Sequence, residues 1–105
     1  MEIVYNKLVR DLIPKIIKKA GKTPEYEVLS QADYIETLEN KLDEETAEYH
    51  ASKNVEELAD ILEVIYALAE NSGCSVDELE RIRARKAQER GGFKKRLFLK
   101  KVIEE

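Results

Sequence analysis

The sequence predicts an all-α chain, mainly helix with a helical hairpin at its centre, and three observations carry this. Ser30, Asn54 and Ser75 each stand just before a run whose apolar residues recur three or four apart, where a side-chain oxygen can cap a helix. The 105 residues include only two prolines and four glycines, so helix breakers are scarce. With 38% charged and 43% apolar residues, the composition is that of a strongly amphipathic helical chain.

A first short helix is expected from about Leu12 or Pro14 to Ala20, since proline is tolerated in a first turn and Gly21 suits the exit. Thr23 to Leu29 reads as extended or irregular, because Pro24 disfavours helix at Thr23. Ser30 with Asp33 forms an acidic variant of the capping box and opens a second helix to about Ala51. Its apolar stripe is Ile35, Leu38, Leu42 and Tyr49. Asn54 caps a third helix to about Asn71, in which eleven of the fifteen residues from Val55 to Ala69 are apolar. One face cannot use so many, and a chain this short can scarcely enclose a helix on two sides, so a subunit interface is expected. Ser75 with Glu78 opens a fourth helix that Gly91-Gly92 ends. The tail from Phe93 to Glu105 fits strand, helix or docked coil.

The length suits a single domain, 1–105, with one modest core. No apolar run approaches the ~20 residues of a membrane span, and the N-terminus meets charge too early for a signal peptide. Cys74 is the sole cysteine, which excludes an intrachain disulfide. A cytoplasmic protein is the expectation. The net charge of −4 is unevenly spread: residues 1–24 carry six Lys/Arg against two acids, residues 25–80 carry seventeen acids against Lys41 and Lys53, and residues 81–101 carry ten Lys/Arg against Glu89. Such a division suits self-complementarity, a cation site beside an anion site, or merely solvated faces. The acidic middle and the lack of an aromatic-studded basic motif argue against nucleic acid as a partner.

Within the stretch KLDEETAEYHASKNVEELAD the acids divide on the helical wheel. Glu45 falls within about 20° of Leu38, where the stripe calls for an apolar residue, and Glu48 flanks the same face. Glu44 points away. In the third helix a stripe through Ile61, Val64 and Leu68 extends backwards to Glu57, with Asp60 beside it, while Glu56 and Glu63 face outward. The break Ala51-Ser52-Lys53-Asn54 is short enough to fold the helices back as antiparallel neighbours. Glu48 and Glu57 then lie roughly 7 Å from the turn, and Glu45 and Asp60 roughly 11 Å. Four carboxylates at one level repel unless protonated, paired with bases or bridged by a divalent cation, and all-oxygen ligation suits Mg²⁺ or Mn²⁺. Zinc is poorly served, since His50 and Cys74 are the sole His and Cys. Taken singly, each acid is as well explained by capping or the helix dipole; Glu57, three residues after Asn54, could complete a capping box.

On the fourth helix, Leu79 opens a face that continues through Arg83, Lys86 and Arg90, and Lys7 and Arg10 lie near the N-terminus. These five are candidates to bind substrate phosphates beside a carboxylate-held Mg²⁺, or to pair with the acidic helices.

The same residues resemble the all-α nucleoside triphosphate pyrophosphatase (MazG-like) superfamily, whose signature is EExxE followed by ExxD on the next helix. Here that reads Glu44-Glu45-Thr46-Ala47-Glu48 and Glu57-Leu58-Ala59-Asp60. The ends, YNKLVRDLIPKII and RKAQERGGFKKRLFL, are similar to the phosphoribosyl-ATP pyrophosphohydrolase-like branch, so the likeness covers nearly the whole chain. The resemblance implies a four-helix-bundle type fold completed by oligomerisation as a homodimer or higher homo-oligomer. It also implies a Mg²⁺-dependent hydrolase that cleaves the α–β phosphate bond of a nucleotide and releases pyrophosphate. Carried over by position, Glu45, Glu48, Glu57 and Asp60 are the implied metal ligands, and Glu44 and Glu45 are equal candidates for the catalytic base. Only eight residues separate Glu48 from Glu57, shorter than in typical MazG domains, which removes residues that could shape a base pocket. Substrate choice stays open between house-cleaning of noncanonical nucleotides and phosphoribosyl-ATP of histidine biosynthesis. A non-catalytic nucleotide-binding module and a purely structural helical dimer are the alternatives.

Overall fold

Local capping chemistry decides where three of the four helices begin; the first has no side-chain cap. In a computed structural model describing residues 1–104, four helices follow one another: α1 (Ile13–Lys19), α2 (Gln31–Ser52), α3 (Val55–Asn71) and α4 (Val76–Arg90). Ser30 Oγ accepts from the Asp33 N–H at 3.2 Å, Asn54 Oδ1 from the Glu56 N–H at 3.0 Å, and Ser75 Oγ from the Glu78 N–H at 3.1 Å. Each bond satisfies a donor that a helix start would otherwise leave unpaired. Pro14 lies in the first turn of α1, as its missing N–H allows. Gly91, at φ +84°, ends α4 in the left-handed region open to glycine, its N–H donating to the Ala87 carbonyl at 2.8 Å. Among the described residues there is no strand, so the mainly-α expectation is met.

The α2–α3 turn is as tight as its sequence suggests. Lys53 takes φ +57° and donates to the Tyr49 carbonyl at 2.7 Å, closing α2, and Ser52 Oγ accepts the Asn54 N–H at 3.1 Å. The two helices pack along each other as an antiparallel hairpin, and α4 packs on α3. α1 packs on none of the other three, so the four helices do not close into a bundle within one chain. The result is elongated, 68 × 32 × 22 Å.

Among the described residues, Leu38, Val64 and Glu45 are the buried ones. Leu38 and Val64 lie on the stripes predicted to face inward, with Leu42, Tyr49, Ile61 and Leu68 half-buried around them. Ile35, placed in the same stripe, is exposed, since it lies near the open end of the hairpin. A second apolar stripe of α3, Val55, Leu58, Leu62 and Ile65, is only partly covered: Val55 is 75% exposed and Leu58 and Leu62 are 45% exposed, while Ile65 is half-buried. On α4 the half-buried residues are Val76, Leu79, Ile82 and Ala87, whereas Arg83, Lys86 and Arg90 face solvent. The face predicted to run from Leu79 through those three bases is therefore not the packed one.

Of the three forms open to the tail, residues 93–104 take irregular coil, with one turn closed by the Arg96 N–H on the Phe93 carbonyl at 3.1 Å. It is coil without docking, because Phe93, Leu97, Phe98, Leu99, Val102 and Ile103 are all exposed. Glu105 lies outside the described residues. Among the described residues no helix is long and apolar enough to cross a membrane.

Candidate metal centre

Among the described residues Glu45 is the one buried charged residue, 7% exposed, on the α2 face that packs against α3. Its carboxylate is only half provided for. Lys41 Nζ, one turn earlier, lies 3.2 Å from Glu45 Oε1 and donates to Glu44 Oε1 at 3.3 Å. Glu45 Oε2 is buried with no hydrogen-bond partner. A buried carboxylate oxygen without a partner is costly in a folded protein, so it requires an explanation. Burial pushes the Glu45 carboxyl above its ordinary pKa of 4.5; Lys41 opposes that shift and the neighbouring Glu48 adds to it. Burial alone would lower the Lys41 ammonium, but its bonds and proximity to Glu45 and Glu44 prevail and raise it.

Around Glu45 the acids form two groups, each able to bring carboxylate oxygens within 4.8 Å of one another. One is Glu44, Glu45 and Glu48 on α2; the other is Glu45, Glu57 and Asp60 across the hairpin. The expectation that four acids converge at one level is thus met unevenly. Glu45 is shared by both groups, and Glu57 and Asp60 reach it from α3. Glu48 is exposed and joins from the α2 side alone. Glu44, expected to point away, is half-buried, because its flexible side chain turns back to Lys41 and towards Lys7, 3.9 Å away. Completion of the capping box by Glu57 does not describe this turn either. The Asn54 N–H that its side chain would take already donates to Ser52 Oγ.

The N-terminal segment reaches the same place. Arg10 Nη2 lies 2.6 Å from Asp60 Oδ1, joining residues fifty apart. Arg10, Tyr34, Lys41, Glu45, Asp60 and Glu63 all line an open cleft of about 490 Å³ between this segment and the hairpin. Of the five candidate phosphate-binding bases, Arg10 lines the cleft beside Asp60, and Lys7, which does not line it, lies 3.9 Å from Glu44. The other three do not line the cleft: Arg83 pairs with Glu80 of its own helix, Nε to Oε2 at 2.9 Å, which holds the Glu80 carboxyl below its ordinary value, and Lys86 and Arg90 are exposed. Lys41 is a site residue that the apolar periodicity of α2 does not single out. Its spacing of three and four residues before Glu44 and Glu45 is the signal that could have identified it.

No family model and no solved structure matches the chain. A protein of Mycolicibacterium smegmatis, described only as uncharacterised, is 49% identical over 45 residues. That similarity covers 43% of this chain and 46% of the relative, less than half of either.

Proposed function

We propose that the hairpin holds Mg²⁺, or Mn²⁺ in its place, and that the protein is a metal-dependent nucleotide pyrophosphohydrolase releasing pyrophosphate by cleavage at an α–β phosphate bond. The observation that carries the metal reading is the buried, unpartnered Glu45 Oε2 where two acid groups meet. A hard divalent cation held by Glu45, Glu57 and Asp60, with Glu48 at the exposed edge, would give that oxygen a partner and offset the repulsion among the acids. The all-oxygen donor set suits Mg²⁺ or Mn²⁺ better than zinc, which favours His and Cys ligands. The reaction class rests on the resemblance of the EExxE and ExxD segments.

When bound, such an ion supplies charge neutralisation at the phosphates and a lowered pKa for an attacking water. The chain's own residues provide the rest. Lys7 and Arg10 reach the acid cluster from the N-terminal segment, so their cations lie where substrate phosphates would meet the carboxylates. Glu44 and Glu45 are the candidates to accept the water's proton. Lys41, bonded to both, fixes their orientation. The open cleft admits a nucleotide from solvent. Packing of a second copy on the exposed Val55, Leu58 and Leu62 would complete the fold as a homo-oligomer.

A panel of canonical and modified nucleotides plus phosphoribosyl-ATP, assayed for pyrophosphate with and without Mg²⁺, tests the proposal. Glu45→Gln and Asp60→Asn should abolish metal-dependent release. Full activity in either variant rules out the assignment. Substrate-dependent thermal stabilisation without pyrophosphate would instead identify a binding module.

A further inference from the structure

Two unsatisfied surfaces lie on this chain, and they are complementary. The first is the outer stripe of α3, Val55, Leu58 and Leu62, exposed although α3 is the most apolar helix. Along one edge of it run Glu56, Glu63 and Glu70, seven residues apart and so nearly in line on the helix, all exposed. The second is the tail. Phe93 is 97% exposed and Phe98 87%, with Leu97, Leu99, Val102 and Ile103 little less so, and Lys94, Lys95, Arg96, Lys100 and Lys101 interleave with them. Among the described residues no ion pair ties the tail to any helix.

An apolar strip with an acidic edge and an apolar segment studded with bases are matched in both hydrophobicity and charge. We propose that the tail, residues 93–104, of one copy lies along the outer face of α3 of a second copy, its bases on the Glu56–Glu63–Glu70 edge. Reciprocal exchange under a two-fold axis covers both surfaces in both copies and leaves no open end, which favours a closed dimer over a filament. A second consequence rests on the metal reading above. Glu63 and Glu70 also line the cleft, so the arriving bases of the partner would stand at its rim, where Arg83, Lys86 and Arg90 of the same chain do not reach.

Sedimentation velocity of the full chain, without nucleotide or metal, tests the exchange independently of any activity. The wild-type chain should be a dimer. Lys94→Glu/Lys95→Glu/Arg96→Glu should weaken it at least about tenfold, because like charges then face each other. Adding Glu56→Lys/Glu63→Lys to that variant should restore the dimer, a rescue that a merely misfolded tail would not show. In a Cys74→Ser background, Leu62→Cys and Phe98→Cys placed on separate chains should cross-link when mixed. A monomeric wild-type chain, a charge-reversed tail that dimerises as before, or the absence of a Leu62→Cys–Phe98→Cys cross-link between the mixed chains would each overturn the proposal. So would a monomer whose tail binds anionic vesicles. Loss of Mg²⁺ binding with the dimer intact would count against the metal reading alone.

Discussion

Arg10 and Asp60 meet at 2.6 Å across fifty residues of sequence, so the N-terminal segment is tied to the acidic face of α3 by a cation that occupies one carboxylate of the candidate metal centre. Both side chains are about half exposed, so the pair itself contributes little to folding. Arg10→Ala should lower stability by less than about 1 kcal/mol in chemical denaturation. It should also free Asp60 and tighten Mg²⁺ binding measured by calorimetry, while raising KM for the nucleotide. A loss of Mg²⁺ affinity would show that Arg10 organises the acids instead of competing for them.

Glu45 provides a pH signature. Burial raises its carboxyl above the ordinary 4.5, so the folded state holds the proton more tightly than the unfolded chain. Stability from this group therefore falls as pH rises from about 4.5 through its raised folded value. Thermal melts of the metal-free protein should show that decline relative to Glu45→Gln, with the two curves converging at low pH. Saturating Mg²⁺ should reverse the decline in the wild type, by about 2.7 kcal/mol at a hundredfold excess over Kd, and leave the variant unchanged. Parallel wild-type and variant curves would deny Glu45 its raised pKa.

Lys41 is the counter-charge that makes a buried Glu45 tolerable. Lys41→Met keeps the packing of its stem but leaves the carboxylate without its cation, at a cost of about 1–3 kcal/mol near neutral pH. The cost should shrink as pH falls and Glu45 takes up a proton. Denaturant midpoints of the variant and wild type across pH measure this, and a pH-independent difference would assign Lys41 to packing alone.

The α2–α3 turn separates capping from the site. Asn54→Ala removes the oxygen that accepts the Glu56 N–H and should cost about 1 kcal/mol. Glu57→Gln takes nothing from that cap, because Ser52 Oγ accepts the Asn54 N–H. It should leave stability nearly unchanged, or raise it slightly by relieving repulsion, while reducing Mg²⁺-dependent stabilisation. A destabilisation equal to that of Asn54→Ala would return Glu57 to the cap.

Much of this molecule is legible from residues alone, because the deciding interactions are local. Ser30, Asn54, Ser75 and Gly91 bound their helices through bonds spanning only two to four residues. The short turn and the interruption of apolar stripes by Glu45 and Glu57 place both acids on facing sides of the hairpin. Local periodicity says less about a side chain that can bend or a helix whose neighbour is unknown. Glu44 sits outward on the wheel, yet it turns back to Lys41 and Lys7. Arg83 lies in phase with Leu79, yet it pairs with Glu80 in solvent.

By itself, then, the sequence determined the helices, their order and the acid-bearing hairpin, since capping bonds and the 3.6-residue period act within a few residues. Only the tertiary structure decided that Glu45 is the shared, half-satisfied centre, that Arg10 bonds Asp60, and that one apolar face of α3 and the basic tail are left uncovered. Those outcomes depend on which surfaces meet across the fold, and packing over tens of residues is not written in any local repeat.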